Sequence, residues 1–333
     1  MTRISVGDAS LTNILARQGA DLRGQVQRAS QEVATGKHSD IGAALRGDFS
    51  PLLAIDASLS KLAAYATNTT DAAFQTAAQQ SAITGLSQLA SGISTTLLAA
   101  KNFSTPAQIA TLGADAKGRL ATAIGLLNTQ ASGRAVFSGT ATDTIPLGSV
   151  DDLLTALETA ATGASTAGQV TAAVTTWFAD PLGFGAFYQG DTPLSPAPIA
   201  AGESADLSTT AMDQTLRDTL AGFAMAALID RGVLGGDTTE RGRLAQQAGQ
   251  QLISTEDGRT TLAARIGTVE AQIEAARSRN SAEDSALGIL RSDIGSVDPY
   301  EAGTRLQTIQ SQLESLYLVT ARVSRLSLAE YLR

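Results

Sequence analysis

The sequence predicts a mainly α-helical protein, in which the two ends of the chain form a long helical bundle or coiled coil and a small α+β domain is inserted in the middle. Near both ends, apolar residues recur in steps of three and four, which is the spacing of a narrow heptad stripe. Hydrophobic residues make up 43% of the chain but aromatic residues only 4%, which suits long helices packed side by side. Five of the eight prolines lie between residues 139 and 205, so this region differs in kind from the rest.

The last stretch, Pro299 to Arg333, carries the clearest stripe. Asp298 and Pro299 suit the first turn of a helix, where an acidic residue meets the positive end of the helix dipole. The stretch ends in the apolar cluster Leu326–Leu332, although chain ends are usually polar. We therefore expect this helix to be buried against other helices of the same chain or of neighbouring copies. Its stripe and terminal cluster comprise Leu306, Ile309, Leu313, Leu316, Val323, Leu326, Leu328, Tyr331 and Leu332.

The first stretch, residues 5–36, has a similar narrow stripe that includes Leu11, Leu15 and Leu22. Gly36 is a typical stop signal, and a polar turn follows it. This helix also needs a partner, because a lone helix with so narrow a stripe buries too little apolar surface to be stable.

Helices are also predicted over 52–100, 107–134, from 213 onward and over 238–297, with a break at Gly232–Gly236. In the Pro-rich region, one helix over 150–161 is expected among short β-like runs and turns. These boundaries divide the chain into an N-terminal coiled-coil helix (1–45), the first half of a helical rod (46–138), the inserted α+β domain (139–205), the second half of the rod (206–297) and a C-terminal coiled-coil helix (298–333).

Composition excludes several classes of function. The chain has no cysteine and a single histidine, His38, which rules out Cys- or His-based zinc sites, cysteine nucleophiles and disulfides. The net charge of −8 argues against nucleic acid as a partner. No apolar run approaches the roughly 20 residues of a membrane span, and no cleavable secretory signal is visible at the start. We expect no catalytic site, metal or cofactor.

Four motifs resemble a known family. Ala34-Thr35-Gly36-Lys37 after the first helix resembles the flagellin superfamily. The stretches 134–140, 187–191 with 199–202, and above all 326–332 are similar to the hook–filament junction proteins (hook-associated protein 3, FlgL type). The resemblance extends over the whole chain in order.

The resemblance implies that the two terminal helices pair, here residues 1–45 with 298–333, in the innermost layer of a tube, while the inserted domain faces outward. It implies export to the extracellular flagellum without a cleavable signal peptide. The expected partners are further copies of the chain in a ring, the preceding hook-associated protein, flagellin and an export chaperone. Flagellin itself and a cytoplasmic coiled-coil scaffold or signalling module remain the alternatives.

Overall fold

The computed structural model describes the backbone of residues 6–102 and 105–331, and the side chains within these ranges except those of 6–9, 12, 101 and 326–331. This part of the chain is mainly α-helical, as predicted, with two short antiparallel hairpins. In chain order the elements are α1 (Val6–Thr35), α2 (Ile41–Ala44), α3 (Ser50–Ala99), a 3-10 turn (Ala100–Asn102), α4 (Pro106–Leu127), β1 (Gln130–Ala131), β2 (Arg134–Ala135), α5 (Val150–Ala160), α6 (Ala167–Ala179), α7 (Phe184–Phe187), β3 (Ala197–Ala200), β4 (Glu203–Ala205), α8 (Gln214–Ala227), α9 (Thr238–Ser254), α10 (Glu256–Gly295) and α11 (Pro299–Tyr331).

The chain divides into two compact units. Unit 1 comprises residues 1–61 and 282–333, and unit 2 comprises residues 62–281. The main core lies in unit 2, where α4, α8 and α9 contribute side chains that are fully shielded from solvent, among them Leu120, Phe223 and Leu244. These two units do not correspond to the five segments predicted from the sequence, so the boundaries at 45, 138, 205 and 297 remain predictions.

The start of α4 follows directly from its sequence. Thr105 is the N-cap, Pro106 fills the first helical position, and the Thr105 and Gln108 side chains each bond to the backbone N–H of the other residue. This reciprocal capping box satisfies N–H groups that the first turn would otherwise leave without partners.

The predicted end of α4 at residue 134 is wrong, because the helix stops at Leu127. The side chain of Asn128 pairs with the backbone of Leu147, accepting a hydrogen bond at 3.0 Å and donating one at 2.9 Å. A β-hairpin follows, and its two-residue turn has positive φ at both Ser132 and Gly133. Such turns match the twist of the paired strands, so residues 130–135 form a hairpin instead of two more helical turns.

The long helix predicted over 238–297 is also interrupted, at Thr255. Arg259, one turn into α10, reaches back to this break and is almost fully buried. Its guanidinium donates to the Leu252 carbonyl oxygen at 3.1 Å and to Thr255 Oγ1 at 2.6 Å. A cation at the carbonyl end of α9 is favourable, and it fixes the junction of the two helices.

Residues 139–205 contain more helix than the single one predicted. Besides α5, the structure has α6 and the short α7. The N-terminus of α6 is capped from outside by Glu240 on α9, whose Oε2 accepts the Ala167 N–H at 2.7 Å. The buried side chains of these helices, such as Val170 and Phe184, join the core formed by α4, α8 and α9.

The hairpin of β3 and β4 is held by amide side chains from two long helices. Asn68 of α3 donates to the Pro198 carbonyl oxygen at 2.9 Å, and Asn280 of α10 donates to the Ile199 carbonyl oxygen at 2.8 Å. Ile199 and Ala205 pack into a small cluster with Ala72, Ile273 and Ala276. Asn280, a polar interruption in the apolar stripe of α10, is therefore one of the residues that anchor the hairpin.

We expect Asn280→Ala to lower the free energy of unfolding of unit 2 by about 1–3 kcal/mol, because a buried carbonyl oxygen loses its donor. Amide hydrogen exchange of residues 197–205 should accelerate. Ser278→Ala, an exposed change on the same helix, is the control and should alter neither quantity; equal effects from the two variants would contradict the anchoring role.

Candidate assembly interface

Helices α1 and α11 pack against each other along an apolar seam. Leu22, Ala29 and Ile309 are buried at its centre, and partly buried side chains pack around them. These flanking residues are Val26, Leu306, Leu313 and Leu316. Leu22, Val26 and Ala29 on α1, and Leu306, Ile309, Leu313 and Leu316 on α11, follow steps of three and four, so each helix turns the same face to its partner.

The two helices run antiparallel. Near one end of the seam Gly19 lies against Leu316, and near the other Glu32 lies against Arg305. A Cβ at position 19 would stand 3.5 Å from Leu316 Cδ2, which is ordinary contact, so the seam has room for alanine there. Continuing this register toward the start of α1 places Leu11 opposite the turn of α11 that carries Val323.

A charged contact lies beside the seam. Glu32 is only 7% exposed, and its carboxylate forms an ion pair with Arg305 at 3.3 Å. Burial acts to raise the pKa of Glu32, but hydrogen bonds from Ser39 and the positive charges of Arg305 and His38 outweigh it and hold the pKa below its ordinary value. The carboxylate is therefore ionised at neutral pH despite its burial.

A groove of about 900 Å³ runs along one side of the pair. Leu15, Leu22, Leu316 and Val319 supply its apolar surface, and uncharged Gln, Ser and Thr side chains supply the rest. On α11 the groove extends from Thr304 to Val319, about 22 Å of helix at 1.5 Å per residue. None of the described residues that line it is charged, so this part of the surface can be covered by another helix without burying a charge.

Unit 1 leaves much apolar surface exposed. Among its described residues only six apolar side chains are buried, namely Leu22, Ala29, Ile55, Val297, Ala302 and Ile309. Large apolar side chains on the two paired helices remain 50–70% exposed: Ile14, Tyr317, Leu318 and Val319. Exposed apolar side chains in such density are typical of surfaces that bind other proteins.

The structure places the predicted interface residues as follows. Leu22 and Ile309 are buried in the seam, and Leu306, Leu313 and Leu316 are half-buried against it. Leu15 and Val323 are also half-buried, while Leu11 is exposed. The side chains of Leu326, Leu328 and Tyr331, and all of Leu332, lie outside the described residues.

Sequence reasoning missed Glu32, Ser39 and Arg305. A signal was present, since an acid next to the stripe of one helix and a base next to the stripe of the other are the usual flanks of a coiled-coil seam. The contribution of Ser39 had no such signal, because it depends on how the turn after Gly36 folds.

Other kinds of site were sought in the described part of the chain. No group of three or more Asp, Glu or His side chains there is arranged to hold a metal ion. None of the helices in the described ranges has the length and hydropathy to cross a bilayer.

Comparison with known proteins identifies relatives of this arrangement. Residues 245–332 match the bacterial flagellin C-terminal helical region, a range that includes α10 and α11. No curated protein sequence matches the chain.

Two solved structures are similar to the fold. The crystal structure of Bacillus cereus FlgL is 14% identical and has a TM-score of 0.51, over 72% of this chain and 100% of that one. The structure of a putative flagellar hook-associated protein from Vibrio parahaemolyticus is 16% identical with a TM-score of 0.47, over 73% and 95% of the respective chains.

The sequence match covers the helix that pairs with α1, and the first structural match extends to most of the chain. The resemblance is thereby confirmed: residues 245–332 match the bacterial flagellin C-terminal helical region, and the fold is similar to that of Bacillus cereus FlgL.

Proposed function

We propose that this protein is a structural subunit of the extracellular bacterial flagellum, and that it forms the ring that joins the hook-associated protein on the hook side to the flagellin filament. The observation that carries the proposal is the α1–α11 pair, which aligns two heptad stripes but leaves a long uncharged groove and several large apolar side chains open. A pair of this kind is one part of an interface that neighbouring subunits complete.

Repetition of such a contact leads to a closed ring or an open helix. The two sides of the interface are different surfaces, because the groove of one subunit would receive a helix of the next. Head-to-tail contacts of this type close into rings or continue as helical polymers. A ring has two different faces, so it can bind one partner on the hook side and flagellin on the other.

The interface residues proposed from the sequence form the assembly surface. Leu11, Leu15, Leu22, Leu306, Ile309, Leu313, Leu316 and Val323 belong to the helical pair, and the proposal adds Leu326, Leu328, Tyr331 and Leu332 from the sequence pattern. An export chaperone would shield the apolar cluster at 326–332 before assembly. In this proposal the protein needs no catalytic site, metal or cofactor.

Flagellin is the second candidate, because the matched region is named for that protein. Purified protein separates the two: growth of long helical polymers from the isolated chain favours a filament subunit, whereas a junction protein should stop at short oligomers or rings.

The decisive experiment locates the protein on cells. Gold-labelled protein should form one band at the hook–filament boundary, and a deletion strain should release free filaments into the medium. Label along the whole filament would identify a filament subunit. Label only inside the cell would overturn the proposal in favour of a scaffold or signalling module.

A further inference from the structure

Two turns of unit 1 are linked by their backbones. The N–H of Val297, between α10 and α11, donates to the Gly36 carbonyl oxygen at 3.0 Å. In return, the His38 N–H donates to the Gly295 carbonyl oxygen at 3.0 Å. Two backbone hydrogen bonds therefore link the turn at the end of α1 to the turn that precedes α11.

Glu32 connects this double turn to α11. One carboxylate oxygen, Oε1, accepts from the Ser39 N–H at 3.0 Å and from the Ser39 hydroxyl at 2.9 Å. The other oxygen, Oε2, accepts from Arg305 Nη1 at 3.3 Å. One buried side chain thus bonds both to the turn after its own helix and to the partner helix.

The surrounding charges do not replace Glu32. Arg305 also donates to Glu301 at 2.9 Å, but Glu301 belongs to the same helix α11. Asp40 accepts the Ala43 N–H as the N-cap of α2. Arg28 and His38 line the same cavity as Glu32, of about 570 Å³, and neither is hydrogen-bonded to it in the described contacts. Glu32 lines this cavity and its side chain is 10% exposed, so solvent protons have access to it.

We propose that Glu32 is an acid-labile clasp: the ionised carboxylate holds the turn at 36–40 and helix α11 against α1, and its protonation releases α11 from α1 while unit 2 stays folded. A neutral carboxylic acid loses its charge attraction to Arg305, and one of its oxygens becomes a donor that faces the donors of Ser39 or Arg305. Protonated Glu32 therefore no longer holds the turn at 36–40 and helix α11 together.

The direction of the pH dependence follows from the pKa of Glu32, which is lower in the folded chain than its ordinary value of about 4.3. A carboxyl of this kind stabilises the folded pair above the ordinary pKa, and this contribution is lost as the pH falls through the lowered one. Release of α11 is therefore expected in acid, at a pH below the ordinary pKa of a glutamate carboxyl.

Paired spin labels can measure the release directly. The chain has no cysteine, so cysteines introduced at the exposed positions Gln27 on α1 and Gln310 on α11 are the only labelled sites in the full-length protein. We expect a narrow distance distribution at neutral pH that broadens in acid. The single tryptophan, Trp177, lies in an aromatic cluster of unit 2, and its fluorescence should stay unchanged over the same range.

Three variants of the labelled protein test the role of Glu32. Glu32→Gln should give the broad distribution already at pH 7 and remove its pH dependence. Glu301→Gln removes the second carboxylate that pairs with Arg305, and this variant should behave like the parent protein. Ser39→Ala removes the hydroxyl that donates to Glu32 and leaves the backbone N–H in place. Because the lost hydrogen bond favours the ionised carboxylate, the midpoint of the release should shift to higher pH.

Two results would overturn the clasp. One is a Glu32→Gln protein with a narrow distribution at pH 7 and the midpoint of the parent protein. The other, which decides the matter even if Glu32→Gln does not fold, is an unchanged midpoint in Ser39→Ala.

Discussion

Leu313→Asp is expected to abolish assembly of the protein while unit 2 stays folded. Leu313 is half-buried in the α1–α11 seam, and its neighbour Gln312 lines the groove that the next subunit would cover. A carboxylate buried there without a partner costs about 3 kcal/mol or more, which corresponds to roughly a hundredfold increase in the protein concentration that assembly needs.

The matched control is Gln310→Asp, which adds the same charge to an exposed position of the same helix. Sedimentation of the purified proteins over a range of concentrations compares the two variants, and Trp177 fluorescence reports whether unit 2 is intact. We expect the control to assemble like the parent protein. Normal assembly of Leu313→Asp would show that this seam is not part of the assembly interface.

The terminal helices could be predicted from the sequence because their signal is local. The heptad spacing of Leu306, Ile309, Leu313 and Leu316 defines a helix and its packing face without any reference to the rest of the fold. Gly36, with φ of +65°, ends α1 where predicted for the same reason, since glycine adopts this left-handed conformation without strain.

The elements that were missed depend on contacts between distant residues. Helix α6 is rich in Val and Thr, which favour strands, and its first turn is capped by Glu240, which lies 73 residues away from Ala167. The end of α4 depends on Asn128 bonding to Leu147. No pattern within either segment indicates these partners, so propensity alone missed α6 and predicted α4 too long.

The same distinction applies to the candidate interface. The sequence indicated the apolar residues of each stripe, but the ion pair of Glu32 with Arg305 connects residues 273 positions apart. Its existence requires the antiparallel register of α1 and α11, which the stripes alone do not define, because a heptad stripe is compatible with either direction and with several registers.

The stability of unit 2 is expected to depend on a glycine in α9. Gly249 lies where α9 meets α3, and a Cβ there would stand 2.9 Å from the Ser94 carbonyl oxygen, 2.9 Å from Leu97 Cβ and 3.0 Å from the Leu98 nitrogen. Two of these atoms belong to the backbone of α3, which cannot move aside as a side chain could. The absence of a side chain at position 249 is what allows the two helices to approach so closely.

We expect Gly249→Val to lower the free energy of unfolding of unit 2 by about 3 kcal/mol or more, because the branched side chain must push α3 and α9 apart across the core. Urea denaturation followed by Trp177 fluorescence measures the change. Gly267→Ala is the control, since a Cβ at that position of α10 meets nothing within 4 Å, and alanine is favoured over glycine inside a helix by roughly 0.5–1 kcal/mol.

The two glycine substitutions should therefore have opposite signs, although both positions lie inside long helices of unit 2. Helix propensity alone favours replacing either glycine, so a stabilised Gly249→Val protein would show that α3 and α9 do not need to approach so closely. Loss of stability at Gly249 together with a gain at Gly267 would show that packing against α3, and not the preference of the α9 segment for helix, is the reason for a glycine in the middle of α9.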